Sequence, residues 1–378
     1  MTLFLPDFAR RFDWLLAGAV LVLLIISLLT LAGLSSASPF PYFERQVIWA
    51  LLGVVAFLLV SIFDYRILKN YGGLLLTLYL VAVALLAGLL ATGVRVRGVI
   101  SWFHIGSFAV EPGELVKIIL VMILAKYFSR RHVEIYRLRH LFISGIYAGL
   151  PVALVLLQPD LGTAMILAAV WVGTVVFSGI RPKHLAVFFL MALAVSILAW
   201  SFLLAPYQHN RIISFLNPWN DPRGTGYNAI QSMIAVGSGQ VWGKGVGYGS
   251  QTHLNFLPEP ATDFIFAAYA EEWGFIGTLF LFLVYGVLFW RLFRIGVRAG
   301  DNLARLTVLG INIIFFTHLV IHVGMNIGLL PITGITLPFV SYGGSAMLTA
   351  MVLAGLAESI AIRSWKSGRQ HEGEGILA

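Results

Sequence analysis

The feature that most limits what this chain can fold into is a succession of long apolar runs, near 14–34, 46–62, 74–92, 113–128, 141–157, 161–179, 184–205, 264–290, 306–328 and 339–362. A helix crosses a bilayer with roughly 20 such residues. The pattern therefore predicts an all-α, polytopic membrane protein with ten transmembrane helices. With 59% hydrophobic and 11% charged side chains in 378 residues, the chain carries more apolar surface than one soluble core could bury. The first run is too long for a signal-peptide core and lacks a persuasive cleavage site, so it reads as a spanning helix. The absence of cysteine excludes disulfides, thiolate catalysis and cysteine-ligated zinc.

Basic residues in a membrane protein report orientation first, so a formal net charge of +8 does not imply nucleic acid. If the N-terminus is inside, 18 of the 25 Lys and Arg residues fall beside cytoplasmic ends. That bias predicts both termini in the cytoplasm. No convincing repeat interrupts the chain, so residues 1–378 are expected to form a single membrane domain with a polar cytoplasmic tail at 364–378. One connection is long: residues 206–262, between the seventh and eighth helices, rich in Gly, Asn, Trp and Pro and expected to lie outside. Loops of that size are usually functional.

Ionisable groups at membrane depth are costly and usually pair or face a cavity. Glu114 and Lys117 stand three apart at the outer end of the fourth helix, on one face, where they can pair. Such a pair either orients the helix or floors an outward-facing polar cavity. Asp263 lies where the long loop meets the eighth helix, with Glu271 and Glu272 two to three turns deeper. Asp before an apolar run is a common N-cap. The same carboxylate, at a cavity mouth and near the positive end of a helix, could accept a proton from a hydroxyl nucleophile. Glu271 and Glu272 are expected to pair or hydrogen-bond within the bundle. The stretches NPWNDPRGTGYNAIQS and GSGQVWGKGVGYGSQ offer glycine amides, Arg223 and Lys244, the materials of an anion-binding nest or simply of tight turns. They match neither a P-loop nor a dinucleotide fingerprint, so a soluble nucleotide cofactor is not expected. No serine elbow or HExxH zinc site is present. His104, His318 and His322 read as hydrogen-bonded bundle residues rather than metal ligands.

Four segments carry a family resemblance: QPDLGTA (158–164), NP..DP.G.GY....QS (217–232), FLPEPATDFIFA (256–267) and GLLPITGITLPFVSYGGSA (328–346). Together they make the chain resemble the shape, elongation, division and sporulation (SEDS) family over nearly its whole length, closer to the elongation member than to the division member. The resemblance implies a bacterial cytoplasmic (inner) membrane enzyme that polymerises lipid II, an undecaprenyl diphosphate-linked disaccharide pentapeptide, into glycan strands. It also implies a class B penicillin-binding protein transpeptidase and other elongation-complex membrane proteins as partners, and no nucleic acid. The family's essential aspartate falls on Asp263, and its important glutamate and lysine fall on Glu114 and Lys117. That last segment reads EPGELVK here, with Glu111 and Gly113 where Gln and Ser are usual, and GVISWFHIG lacks the arginine often found before the tryptophan.

A lipid diphosphate is already a good leaving group, so such an enzyme needs a base for the acceptor hydroxyl and positive charge for the diphosphate. Asp263 is the base candidate. Arg45, Arg95, Arg97, Arg211, Arg223 and Lys244 are the outer cations from which a diphosphate clamp could be drawn, with or without a divalent cation (Mg2+ or Mn2+) beside them, for which no ligand set is assigned. Two other readings remain open, a lipid-linked precursor flippase, since ten helices with intramembrane charges suit alternating access, and a non-catalytic scaffold of the elongation machinery.

Overall fold

The structure, a computed structural model, describes residues 10–35, 40–93, 101–105, 108–130, 138–179, 183, 186, 190 and 215–374. Its helices are α1 (Trp14–Ser35), α2 (Tyr42–Ile62), the short α3 (Arg66–Asn70), α4 (Gly72–Thr92), α5 (Pro112–Ser129), α6 (Leu138–Leu157) and α7 (Leu161–Phe177). Then come α8 (Tyr227–Ser238), the short α9 (Ser250–His253), α10 (Ile265–Arg298), α11 (Asn302–Asn326) and α12 (Gly344–Glu374). Seven of them are long and apolar enough to cross a membrane. The runs near 113–128 and 161–179 are helical too, but α5 carries Glu114, Lys117 and Lys126, and α7 is only 17 residues long. The run near 184–205 lies outside the described residues except at isolated positions.

One departure from an all-α fold is an antiparallel hairpin, β1 (Phe103–Ile105) with β2 (Phe108–Val110), in register Phe103 with Val110 and Ile105 with Phe108. Its backbone polar groups need partners that lipid cannot give, so it belongs where protein covers it or a cavity begins. It packs on α12, where Ser345 Oγ donates to the Ala109 carbonyl at 3.1 Å.

α5 is buried on nearly every side, packed by α4, α6, α7, α11 and α12, as a helix must be if it carries charge through apolar surroundings. α2 and α4 instead leave large aliphatic side chains exposed along one face, Leu51, Leu59, Leu74 and Leu80 among them, which suits contact with lipid. α2 lies close against α12 because Gly355 has no side chain: a Cβ there would stand 2.6 Å from the Phe57 carbonyl oxygen.

α10 is interrupted at Gly274, whose φ of 64° and ψ of −162° leave the helix. The freed backbone groups are taken up by the long loop rather than left bare. Phe275 N–H donates to Gln240 O and Ile276 N–H to Val241 O, while Lys244 and Gly245 N–H donate to Glu271 O and Glu272 O, all at 2.8–3.2 Å. This is how irregular backbone is tolerated beside a membrane. The Glu271 side chain completes the join. Fully buried, it accepts from Lys244 Nζ at 2.7 Å, Gln251 N–H at 2.9 Å and Thr252 N–H at 3.3 Å. Glu272 accepts from Gly247 N–H at 2.9 Å. Residues 206–262 were expected as loop, yet α8 lies within them, packed on α10 and α11 through Ile230, Ser232 and Ala235.

Candidate active site

The loop-bearing end of the bundle holds a cavity of about 1400 Å³. α5 supplies Glu114 and Lys117, α11 supplies His318, the start of α7 supplies Asp160, and the segment ahead of α10 supplies Asp263. Trp102 just ahead of the hairpin, Ala109 of β2 and the turn at 330–336 close other parts of the wall.

Glu114 and Lys117 form an ion pair at 2.7 Å, both nearly sealed from water. Glu111 lies just ahead of α5, where Pro112 opens the helix in the position that needs no N–H donor. Loss of hydration pushes its carboxyl up to about 8, and the Glu114 charge adds to the rise while Lys117 and a hydrogen bond from Trp102 oppose it. Asp160 caps α7 by accepting from Thr163 N–H at 2.9 Å, while its other oxygen receives the Ser101 hydroxyl at 3.4 Å.

Asp263 is half-buried. The N-cap position of α10 is taken by Phe264, which makes no side-chain capping bond. The backbone of Asp263 is held from α11. Asn326, fully buried at the end of α11, donates to Asp263 O at 3.1 Å and His322 O at 2.7 Å, and accepts from Ala267 N–H at 3.1 Å and the Ser232 hydroxyl at 3.3 Å. Both donors and both acceptor directions of the amide are thereby used. Four and eight residues earlier on α11, His322 Nδ1 donates to Ile335 O at 2.7 Å and His318 Nδ1 to Thr336 O at 2.9 Å. These bonds hold the turn that brings Gly334 up to Asp263, where a Cβ on the glycine would stand 3.6 Å from Oδ2.

Of the candidate cations, Arg45 lines the cavity with its guanidinium 4.6 Å over the Phe40 ring. Arg223 is exposed and does not line it. Lys244 is committed to Glu271 and the Ser250 hydroxyl, away from the cavity wall. Arg95, Arg97 and Arg211 lie outside the described residues. Among the described residues no group of three or more His, Asp or Glu side chains is arranged to hold a metal ion, and the described Lys and Arg side chains that line this wall are Lys117 and Arg45.

Residues 10–366 match the model of the FtsW/RodA/SpoVE cell cycle protein family. The chain belongs to the SEDS family. Among SEDS relatives, peptidoglycan glycosyltransferase MrdB of Escherichia coli (strain K12) is 34% identical over 359 residues, spanning 94% of this chain and 96% of the relative. Stage V sporulation protein E of Bacillus subtilis (strain 168) is 36% identical over 352 residues, with 90% and 94% covered. A solved chain from a peptidoglycan synthase complex that coordinates polymerization and crosslinking superimposes with a TM-score of 0.79 at 30% identity, covering 94% of this chain and 98% of that one. Rod shape determining protein RodA of Thermus thermophilus gives 0.68 at 29% identity, with 93% and 96% covered. The SEDS assignment rests on whole-chain similarity and does not depend on any one cavity residue.

Glu114, Lys117, Arg45 and Asp263 were expected at the site from the sequence, Asp160 was not, and neither were His318, expected only as a hydrogen-bonded bundle residue, which it is, and Asn326. The last two had a readable signal. His318, His322 and Asn326 recur at i, i+4 and i+8 in an apolar helix, which puts three polar side chains on one stripe.

Proposed function

We propose that this chain, a member of the SEDS family of peptidoglycan glycosyltransferases, polymerises lipid II into glycan strands in the cavity at the loop end, for cell elongation and rod shape. The observation that carries the reading is the meeting of a carboxylate, a paired lysine and an arginine in one cavity large enough for sugar units. Asp263 acts as general base. The acceptor hydroxyl oxygen attacks the anomeric carbon of the donor, its proton passes to the Asp263 carboxylate, and the bond to the lipid diphosphate breaks with inversion. Lys117 and Arg45 offset the negative charge that builds on the leaving diphosphate, which is the electrostatic part of the catalysis.

The chain works as a single ten-span membrane domain with both termini in the cytoplasm, and the 18 to 7 split of basic residues supports that orientation. Labelling of introduced cysteines by an impermeant reagent in intact spheroplasts should reach position 235 and not 135; the reverse would overturn it. Its partner is a class B penicillin-binding protein that crosslinks the strands, a reading supported by the synthase complex whose chain it resembles.

Asp263→Asn tests the base directly. Asn keeps the size and the backbone bond to Asn326 but cannot take the proton, and loss of a positioned base typically costs about 10² to 10⁴-fold in rate. The purified variant should fold and make almost no polymer from fluorescent lipid II. A near wild-type rate would return Asp263 to the rank of a wall residue and pass the role of base to Glu114 or Asp160.

A further inference from the structure

We propose that His318 is a positioning residue that holds the Lys117 ammonium so that its one uncommitted N–H is offered to an anionic oxygen of the substrate. This rests on the reading of the cavity as the polymerisation site. The geometry begins with the ring. His318 Nδ1 is 2.9 Å from the Thr336 carbonyl oxygen, which can only accept, so Nδ1 carries the proton. Nε2 then presents a lone pair, and it stands 3.3 Å from Lys117 Nζ. The ammonium is the donor in that contact.

A lysine on a four-carbon stem with one tether, to Glu114 on its own helix, would retain several orientations. The second tether comes from α11 and removes most of them. Two of the three N–H bonds are thus assigned, to Glu114 Oε1 and His318 Nε2, and the third, which has no partner among the described residues, is left for a ligand in the cavity that both residues line. The same ring grips the turn that carries Gly334 beside Asp263. One imidazole therefore sets the spacing between the cavity's buried cation and its candidate base. A charge-stabilising group gains most of its effect from being fixed before the charge develops.

The competing possibility is that His318 only fastens the turn. Two amide substitutions separate the roles, because each reproduces one ring nitrogen. Asn places an N–H near the Nδ1 position and can keep the bond to Thr336, but it is too short to reach Lys117. Gln places an oxygen near the Nε2 position and can accept from Lys117, but it gives up Thr336. The assay is polymerisation of fluorescent lipid II by the purified full chain, read as kcat and KM, with a thermal midpoint for each variant. We expect H318N to melt like the wild type and lose about 10²-fold, the usual scale for a small misplacement of a reacting or stabilising group, mainly in kcat. H318Q should recover most of that rate. H318N should cost nothing more when added to Lys117→Met.

H318N at the wild-type rate would overturn the inference, and so would H318Q and H318N with equal losses. The Lys117→Met control keeps the two levels apart. If it is inactive while H318N is normal, only the positioning role falls. If Lys117→Met itself polymerises at the wild-type rate, the cavity is not the site, and the proposed function falls together with this inference.

Discussion

Two buried ionic clusters sit at opposite ends of the bundle, and they use charge differently. At the cavity end, Lys117 and Glu114 are joined by His318. At the other end Asp13, just ahead of α1, pairs with Arg291 of α10 and gives its backbone N–H to Glu358 of α12 at 2.7 Å. In the second cluster the bonds turn inward: Arg291 Nε reaches Asp13 Oδ1 at 3.0 Å, that oxygen also accepts Leu16 N–H at 3.0 Å, and Glu358 Oε2, which has no partner among the described residues, is buried away from the cavity. Three helices are fastened at their shared end and none of these side chains lines the cavity. The cavity cluster is as deeply sealed but, among the described residues, keeps one ammonium N–H uncommitted. Burial of charge alone therefore does not mark a site; the direction of the unused hydrogen-bonding capacity does.

The sharpest way to break this contrast is to remove a cation from each end. Arg291→Met leaves Asp13 buried without its partner, and breaking a buried pair from one side costs about 3–5 kcal/mol. The thermal midpoint in detergent should drop clearly while polymer formed per folded molecule stays near the wild-type value. A normal midpoint with lost polymerisation would show that the fastening cluster takes part in the chemistry, and the comparison would collapse.

A smaller effect is expected from coupling within the cavity pair. Lys117→Met and Glu114→Gln should each reduce kcat/KM, and the double variant should lose less than the two losses combined, because each single change strands one polar partner. Coupling between residues in contact runs about 0.5–3 kcal/mol. Simple additivity in the cycle would mean that the two residues act separately.

The contrast also explains what could be read from the sequence. Spanning helices were legible because lipid demands long apolar runs, and their ends were not. The run near 264–290 continues as helix to Arg298, since basic residues close a spanning helix without adding to its apolar length. The run near 339–362 begins earlier than α12, because Phe339 and Val340 are apolar for a different reason: they are buried in the turn before it, where Phe339 packs on Phe315. α8 was hidden among Gly, Asn and Pro that suggest loop, although Ile230 and Ala235 mark its buried face. In the site, Glu114 and Lys117 were legible because partners three apart on one helix need no fold to meet. His318 and Lys117 are 201 positions apart, and only the packing of α11 on α5 brings them together.

The smallest effect concerns Glu111, a carboxyl where a glutamine is usual in the family. Its folded pKa of about 8 lies above the ordinary carboxylate value, so between roughly pH 4.5 and 8 the folded chain holds a proton that the unfolded chain has released. Stability must then fall as pH rises through that window, and the loss is complete once the pH passes the folded value. Glu111→Gln cannot ionise and removes this slope. At pH 5 wild type and variant should melt alike, since a protonated carboxyl and an amide offer similar size and both can donate a hydrogen bond. By pH 8.5 the variant should be the more stable of the two, and its polymerisation should hold up further into the alkaline range, because no second negative charge then forms beside Glu114. Midpoints measured at half-unit intervals from pH 5 to 9 decide the matter: parallel curves would mean that Glu111 is ionised throughout and that the cavity wall is better hydrated than the sealed cluster at the other end of the bundle.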